Sequence, residues 1–436
     1  MNGGNIILII LFGSFIFLFL LRVPVSFSLF LSAFLSILIE GNVPLSIVVQ
    51  RIWVGLNSFP LLAVPFLLLA GQLLNETVIR DYLFNFSNSL VGHIKGGLAH
   101  SNIIISMIMA GMSGVSSADT AGVGSVLIPA MIKEGYGKGF TVGVTAASST
   151  LGNIIPPSLM MIVYAACSNL SVGGLFLTGI IPGLMIGVGQ MAYSYYYAVK
   201  HGIVDVHKFS WQTLFKNTKV TIPSLGVPVI IIGGITLGVF TATEASLIAV
   251  VYIFFLSFFY REFSFTKFYR VIKFCVEFSS LSLFCIATAS LWGWVLAYYS
   301  IPQAIVSYFD TMGLLNSQLL IFSFVILLFL AMGTFMDALP AIVIMYPIIG
   351  ELTLRVGINP YHMGIVIVLT LAIGLVTPPY GLCLMIASRL AGISVPEALK
   401  SIVPFLIISL IVVLIVVFFP NIILFIPRLV MPRFIR

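Results

Sequence analysis

The chain of 436 residues is 60% hydrophobic and only 8% charged, against roughly 25% charged in an ordinary soluble domain, which excludes a water-soluble fold. Apolar runs of about 20 residues, each able to cross a hydrocarbon core of about 30 Å, recur between residues 6 and 425, and stretches such as 319–332 lack the alternation of a membrane β-barrel. The net charge of +7, from 20 Lys and Arg against 13 Asp and Glu, reads as the basic enrichment of cytoplasmic loops, not as a nucleic-acid surface.

In chain order, residues 6–21 are expected to span the membrane with their start outside, because Arg22 follows the run and no basic segment precedes it. Residues 25–40 recross outward, and a short polar-marked stretch with Arg51 follows. Residues 59–74 then return to a loop with Arg80, His93 and Lys95. The next apolar stretch breaks at Ser113-Gly114-Val115-Ser116-Ser117-Ala118-Asp119-Thr120 and has basic residues near both outer ends. Residues 98–132 are therefore expected to form a re-entrant helical hairpin. Residues 140–166 read as a transmembrane helix broken at Gly152-Asn153-Ile154-Ile155-Pro156-Pro157-Ser158, and 174–199 as a further span. This first unit, 1–200, ends at a cytoplasmic linker, 201–219, with Lys208 and Lys216. Beyond it, 265–278 is expected to be an interfacial helix on which Lys273 pairs with Glu277.

Residues 220–436 repeat the first unit. Asp119 and Pro129 recur as Asp337 and Pro347, each 218 positions on, and Pro156 and Pro182 as Pro378 and Pro404, each 222 positions on. The second hairpin is expected at 318–350 and the second broken helix at 361–388. Counting crossings, the first unit begins outside and the second inside. The expected fold is thus an all-α polytopic membrane protein of two inverted-topology repeats, each with a re-entrant hairpin and a broken transmembrane helix.

Asp119 and Asp337 are the acidic residues placed at matched breaks of hydrophobic segments, where an ionisable group is costly and marks a functional site. Capping of the second half-helix is the competing role, and the two can coexist. Unwound backbone offers carbonyl oxygens to a cation such as sodium. The candidate sodium ligands are Ser113, Ser116, Ser117, Asp119, Gly152 and Asn153, with Thr150 nearby, in the first unit. In the second they are Gly333, Thr334, Asp337 and Thr377. No Lys or Arg lies in the four breaks, so an anion there must be held by backbone amides, hydroxyls and bound sodium. Ser116, Pro156, Pro157, Ser158, Pro378, Pro379 and Tyr380 are the candidates for that site. Glu244 reads as a helix cap near an outer end, the four cysteines as small apolar side chains, and Trp53, Trp292 and Trp294 as interfacial or packing aromatics. The five histidines form no metal or nucleophile motif, and no phosphate-binding loop is present, so ATP hydrolysis is not the energy source.

Several motifs, in order, resemble one family. They are Gly96-Gly97-Leu98-Ala99-His100, the break from Ser113 to Asp119, Ile128-Pro129-Ala130-Met131, Ile155-Pro156-Pro157-Ser158, Gly179-Ile180-Ile181-Pro182-Gly183, Thr243-Glu244-Ala245, Gly333 to Asp337 and Thr377-Pro378-Pro379. Together they resemble the large membrane subunit of TRAP transporters, the tripartite ATP-independent periplasmic family, over essentially the whole chain. Where related sequences often read Pro-Thr-Glu, this one has Ala242-Thr243-Glu244. The resemblance implies an elevator-type sodium symporter in the bacterial inner membrane, with sodium as coupling ion and no other cofactor. It also implies a small four-helix membrane subunit and a periplasmic binding protein that delivers an organic acid such as a sialic acid or C4-dicarboxylate. A polytopic membrane enzyme and an anion channel are the alternatives from other classes.

Overall fold

The computed structural model describes residues 3–203, 208–261, 264–379 and 381–432, and among these the secondary structure is entirely helical. Among the described residues six helices are long and apolar enough to cross a membrane: Val172–Lys200, Trp211–Thr236, Ala242–Phe259, Phe265–Tyr298, Ala338–Val356 and Val395–Phe418. A seventh crossing arises if Ser46–Leu56 and Phe59–Asn75, bent by 63° at the Asn57-Ser58 break, count as one span.

The same sequence of elements occurs twice. Gly97–Ser113 and Ser116–Lys133 form a first hairpin. Lys138–Ser149 and Leu159–Ser168, separated by a short tight turn, are the halves of a first broken helix, and the 29-residue helix Val172–Lys200 follows. In the second half, Gln318–Gly333 and Ala338–Val356 form a hairpin, Pro360–Gly374 and Leu382–Ala391 a broken helix, and Val395–Phe418 the closing span. Each break has a local cause. Gly114 takes a left-handed φ of 65°, and Gly381 one of 40°, conformations that a Cβ disfavours. Each Pro-Pro pair removes amide donors that a continuous helix would need; both pairs are cis.

The packing is crosswise. The first hairpin lies on the first half of its own broken helix and on the second half of the other one, Leu382–Ala391. The second hairpin lies on Pro360–Gly374 and on Leu159–Ser168. Small and polar residues draw these helices together, as lipid supplies no hydrophobic drive between them. Asn102 Nδ2 donates to Thr145 Oγ1 at 2.7 Å, and Ser106 and Ser148 share a 2.9 Å hydrogen bond, both pairs fully buried.

Around this body runs a frame of longer helices. The expected interfacial helix at 265–278 is not separate: it is the first part of a single 34-residue helix, Phe265–Tyr298. That helix is about 51 Å long, so it can cross the hydrocarbon core and still leave Lys267, Arg270 and Lys273 beyond it. Lys273 and Glu277 do approach, at 4.0 Å. Trp292 is buried against Phe12, ring centroids 5.0 Å apart, and so packs rather than anchoring at an interface, whereas Trp53 is exposed. Glu244 completes a capping box with Thr241 at the start of Ala242–Phe259, as its position beside Thr241 suggests.

Candidate transport cleft

Both hairpin tips and both broken helices converge on one cleft of about 390 Å³, its open mouth included. The first tip contributes Ser116 and Ser117, the first broken helix Asn153 and Met160, the second tip Asp337 and Leu339, and the second broken helix Leu375 and Leu382. Phe278 of the 34-residue helix closes the remaining side. Residues about 220 positions apart in sequence thus face one space, because each hairpin packs on the partner unit's broken helix as well as on its own.

The first tip is organised around Asp119. Its carboxylate is fully buried, four residues into the Ser116–Lys133 arm, and caps no helix. Oδ1 accepts a 2.6 Å hydrogen bond from Ser113 Oγ, while Oδ2 is buried with no partner. A Cβ at Gly152 would stand 2.6 Å from that free oxygen and 3.3 Å from the Ser116 amide nitrogen. The missing side chain at Gly152 is what leaves room beside the carboxylate. Asn153 Oδ1 accepts from the Ser116 amide at 3.4 Å and ties the tip to the broken helix. The Leu159 amide donates to Gly114 O, also at 3.4 Å. The Ser116 hydroxyl is buried with no partner.

Asp337 is arranged differently. It is the N-cap of Ala338–Val356, and its Oδ1 accepts from the Ala338 amide at 2.8 Å. The side chain is half-buried and lines the cleft. Behind it Gly333 and Gly374 meet backbone to backbone: a Cβ on Gly374 would stand 2.7 Å from Gly333 Cα.

The remaining candidates fall into two groups. Ser158 is buried but engaged, donating to Asn153 O at 2.5 Å and accepting from the Met161 amide at 3.3 Å, so it braces the broken helix. Pro157 O lies against Gly114, where a Cβ would be 2.7 Å away; Pro156 precedes it in the same turn. Thr150, Thr334 and Thr377 spend their hydroxyls on carbonyls of their own helices, Ala147, Ala331 and Ile373. Gly333, Thr334, Thr377, Pro378 and Pro379 do not line the cleft, and Tyr380 lies outside the described residues. The apolar wall of Met160, Leu339, Leu375, Leu382 and Phe278 carries no polar mark in the sequence. Its one signal is position, immediately beside a break, and Phe278 lacks even that.

Among the described residues no group of His, Cys, Asp and Glu could hold a transition metal. What the cleft offers is hard oxygen, which suits an alkali cation, and free amides and hydroxyls at half-helix starts, which suit an anion.

Residues 12–422 match the family described as tripartite ATP-independent periplasmic transporter, DctM component. The chain belongs to that family. It is 36% identical over 407 residues to the sialic acid TRAP transporter large permease protein SiaM of Vibrio cholerae, covering 93% of this chain and 95% of that protein. It is 34% identical over 437 residues to the C4-dicarboxylate TRAP transporter large permease protein DctM of Rhodobacter capsulatus, covering 97% and 99%. It is also 35% identical over 418 residues to the isethionate TRAP transporter permease protein DctMQ of Oleidesulfovibrio alaskensis, covering 95% of this chain and 66% of that one. The fold resembles the crystal structure of the Alcanivorax borkumensis YdaH transporter, with a TM-score of 0.58 at 12% identity over 86% of this chain and 87% of that one. This chain is therefore a multi-pass membrane permease subunit of the TRAP family and not an enzyme.

Proposed function

We propose that this chain is the large membrane subunit of a sodium-coupled symporter that imports an organic acid: a sialic acid, a C4-dicarboxylate or a related sugar acid. A periplasmic binding protein delivers the acid, and a small four-helix membrane subunit completes the assembly. The chain sits in the bacterial inner membrane with its N-terminus in the periplasm. Its two units, 1–200 and 220–436, are inverted repeats, and the hairpins and broken helices move as one body against the longer helices, as in an elevator. The observation that carries the reading is the single cleft shared by both hairpin tips and both breaks. Names of similar permeases supply the substrate class.

In this reading one sodium lies beside Asp119, taking its free Oδ2 and neighbouring oxygens of Ser113, Ser116 and the Gly152-Asn153 turn. A second lies beside Asp337, with carbonyls at Gly333 and the lone pairs that Thr334 and Thr377 keep while their hydroxyls donate to Ala331 and Ile373. The acid binds between the tips, on the Ser116 and Ser117 hydroxyls and the free amides of the half-helix starts. With no Lys or Arg in the breaks, sodium supplies the positive charge and anion affinity depends on it.

The test is reconstitution in liposomes with the binding protein and small subunit, using N-acetylneuraminate and succinate as probes. Uphill accumulation is expected under an inward sodium gradient. Equal accumulation with potassium in place of sodium and no proton gradient overturns the coupling, and downhill flux alone favours a channel.

A further inference from the structure

A second space of about 510 Å³, its open mouth included, lies further along three helices that also line the cleft. Leu159–Ser168 lines the cleft at Met160 and this chamber at Val163 and Cys167; Ala338–Val356 lines them at Leu339 and Val343. The 34-residue helix touches the cleft at Phe278 and the chamber at Ser290, twelve residues or about 18 Å further along its axis. Gly55 and Ser58, from the bent pair, form the outer wall. The Ser46–Leu56 helix crosses the 34-residue helix closely there, since a Cβ at Gly55 would stand 2.5 Å from Ser290 Cβ.

One turn beyond that crossing, on the same faces of both helices, Arg51 lies over the Trp294 ring at 5.2 Å. Its Nε is buried without a hydrogen-bond partner, and no carboxylate pairs with it among the described residues. An unneutralised guanidinium held by an aromatic face, one helical turn from the Gly55 and Ser290 wall of the chamber, creates a standing positive potential there. The cleft itself has no such charge.

We infer that the chamber is an outer subsite for the carboxylate of the transported acid, with Arg51 as its anion-selecting residue. This assignment of the ligand rests on the symport reading above. The acid is drawn in by Arg51, held by the Ser58 and Ser290 hydroxyls, and passed along three helices to the Ser116 tip, where sodium replaces the guanidinium as its counter-charge.

Cys167 gives a reporter that does not depend on transport. It is half-buried in the chamber wall, while Cys275, Cys285 and Cys383 are buried. Peptide-resolved mass spectrometry follows its modification in liposomes by two methanethiosulfonate reagents of equal length, one bearing a sulfonate and one a trimethylammonium group. Rates are normalised to those with free mercaptoethanol. The sulfonate is expected to react about tenfold faster in the parent, within about twofold of the cation in Arg51→Gln, and with its preference kept in Arg51→Lys. Raising salt from low to about 0.5 M in the parent should erode the preference, a check that stands even if Arg51→Gln does not fold. An unchanged preference in Arg51→Gln, a salt-independent one, or no reaction at Cys167 with either reagent overturns the subsite. In uptake, Arg51→Gln should raise KM for N-acetylneuraminate or succinate severalfold and leave kcat unchanged. A parent without sodium-driven uptake refutes the symport reading, while the thiol rates still decide whether the chamber selects anions.

Discussion

The two hairpin tips carry the same sequence mark, an aspartate after a helix break, and put it to different uses. Asp119 sits four residues into its arm, fully buried, with one oxygen on Ser113 and the other facing the gap left by Gly152. Asp337 sits at the very start of its arm, half-buried, with one oxygen on the Ala338 amide. The first carboxylate caps no helix and keeps one oxygen free, as the proposed cation site requires. The second divides its charge between holding a helix start and facing the cleft. A matched position in a repeat therefore fixes where a carboxylate lies, and the offset of a few residues from the helix start decides what it does.

The largest effect should come from Asp119→Asn. It removes the charge from a site with no other carboxylate in contact, and uncompensated buried charges cost about 3–5 kcal/mol. Sodium dependence of uptake should disappear while membrane insertion is unchanged. Asp337→Asn keeps the cap, because Asn caps about as well as Asp, and should weaken sodium affinity without abolishing coupling. Equal effects of the two substitutions on the sodium concentration giving half-maximal uptake would break the comparison.

Glycine substitutions come next. Gly152→Ala places a methyl against the free oxygen of Asp119 and should weaken sodium activation about tenfold or more with little loss of stability. Gly374→Ala presses into the Gly333 backbone and should act through overpacking, about 1–3 kcal/mol, lowering the melting temperature in detergent. If Gly152→Ala lowers melting and leaves sodium activation alone, the gap beside Asp119 is only a packing feature.

A smaller effect separates the caps. Asp337→Ala should destabilise by about 0.5–2 kcal/mol more than Asp337→Asn, whereas Asp119→Ala and Asp119→Asn should melt together. Thermal unfolding of the four variants settles the order. The smallest expected change is Ser113→Ala, which frees Asp119 Oδ1 of one hydrogen bond, about 1 kcal/mol, and should shift sodium activation severalfold.

The breaks were readable in the sequence because Gly, Ser and Pro-Pro interrupt long apolar runs, and the two units because Asp and Pro recur at fixed offsets. Which aspartate caps was not readable: it depends on whether the second arm starts at residue 116 or 119, and helix starts shift by a residue or two for reasons of local packing. The 34-residue helix reads short in the sequence because Lys273 and Glu277 look interfacial, although a long enough helix carries its charges past the lipid. Ser158 looked like a ligand by its place after Pro156-Pro157. Its bracing role was not readable there: the turn that the prolines open brings Asn153 O within its reach.

The lack of any Lys or Arg in the four breaks has an electrical consequence. On the proposed arrangement, two sodium ions cancel Asp119 and Asp337, so the loaded cleft carries only the charge of the acid. Emptied of its cargo, the same cleft carries two uncompensated negative charges. Moving charge through a membrane potential involves about 2.3 kcal/mol per elementary charge per 100 mV. An inside-negative potential then opposes the inward passage of a loaded acid and drives the outward return of the empty body, with about twice the force when the acid is monovalent and with equal force when it is divalent. A monovalent acid would thus gain net drive from voltage, through the resetting of the carrier, while a divalent one would gain none.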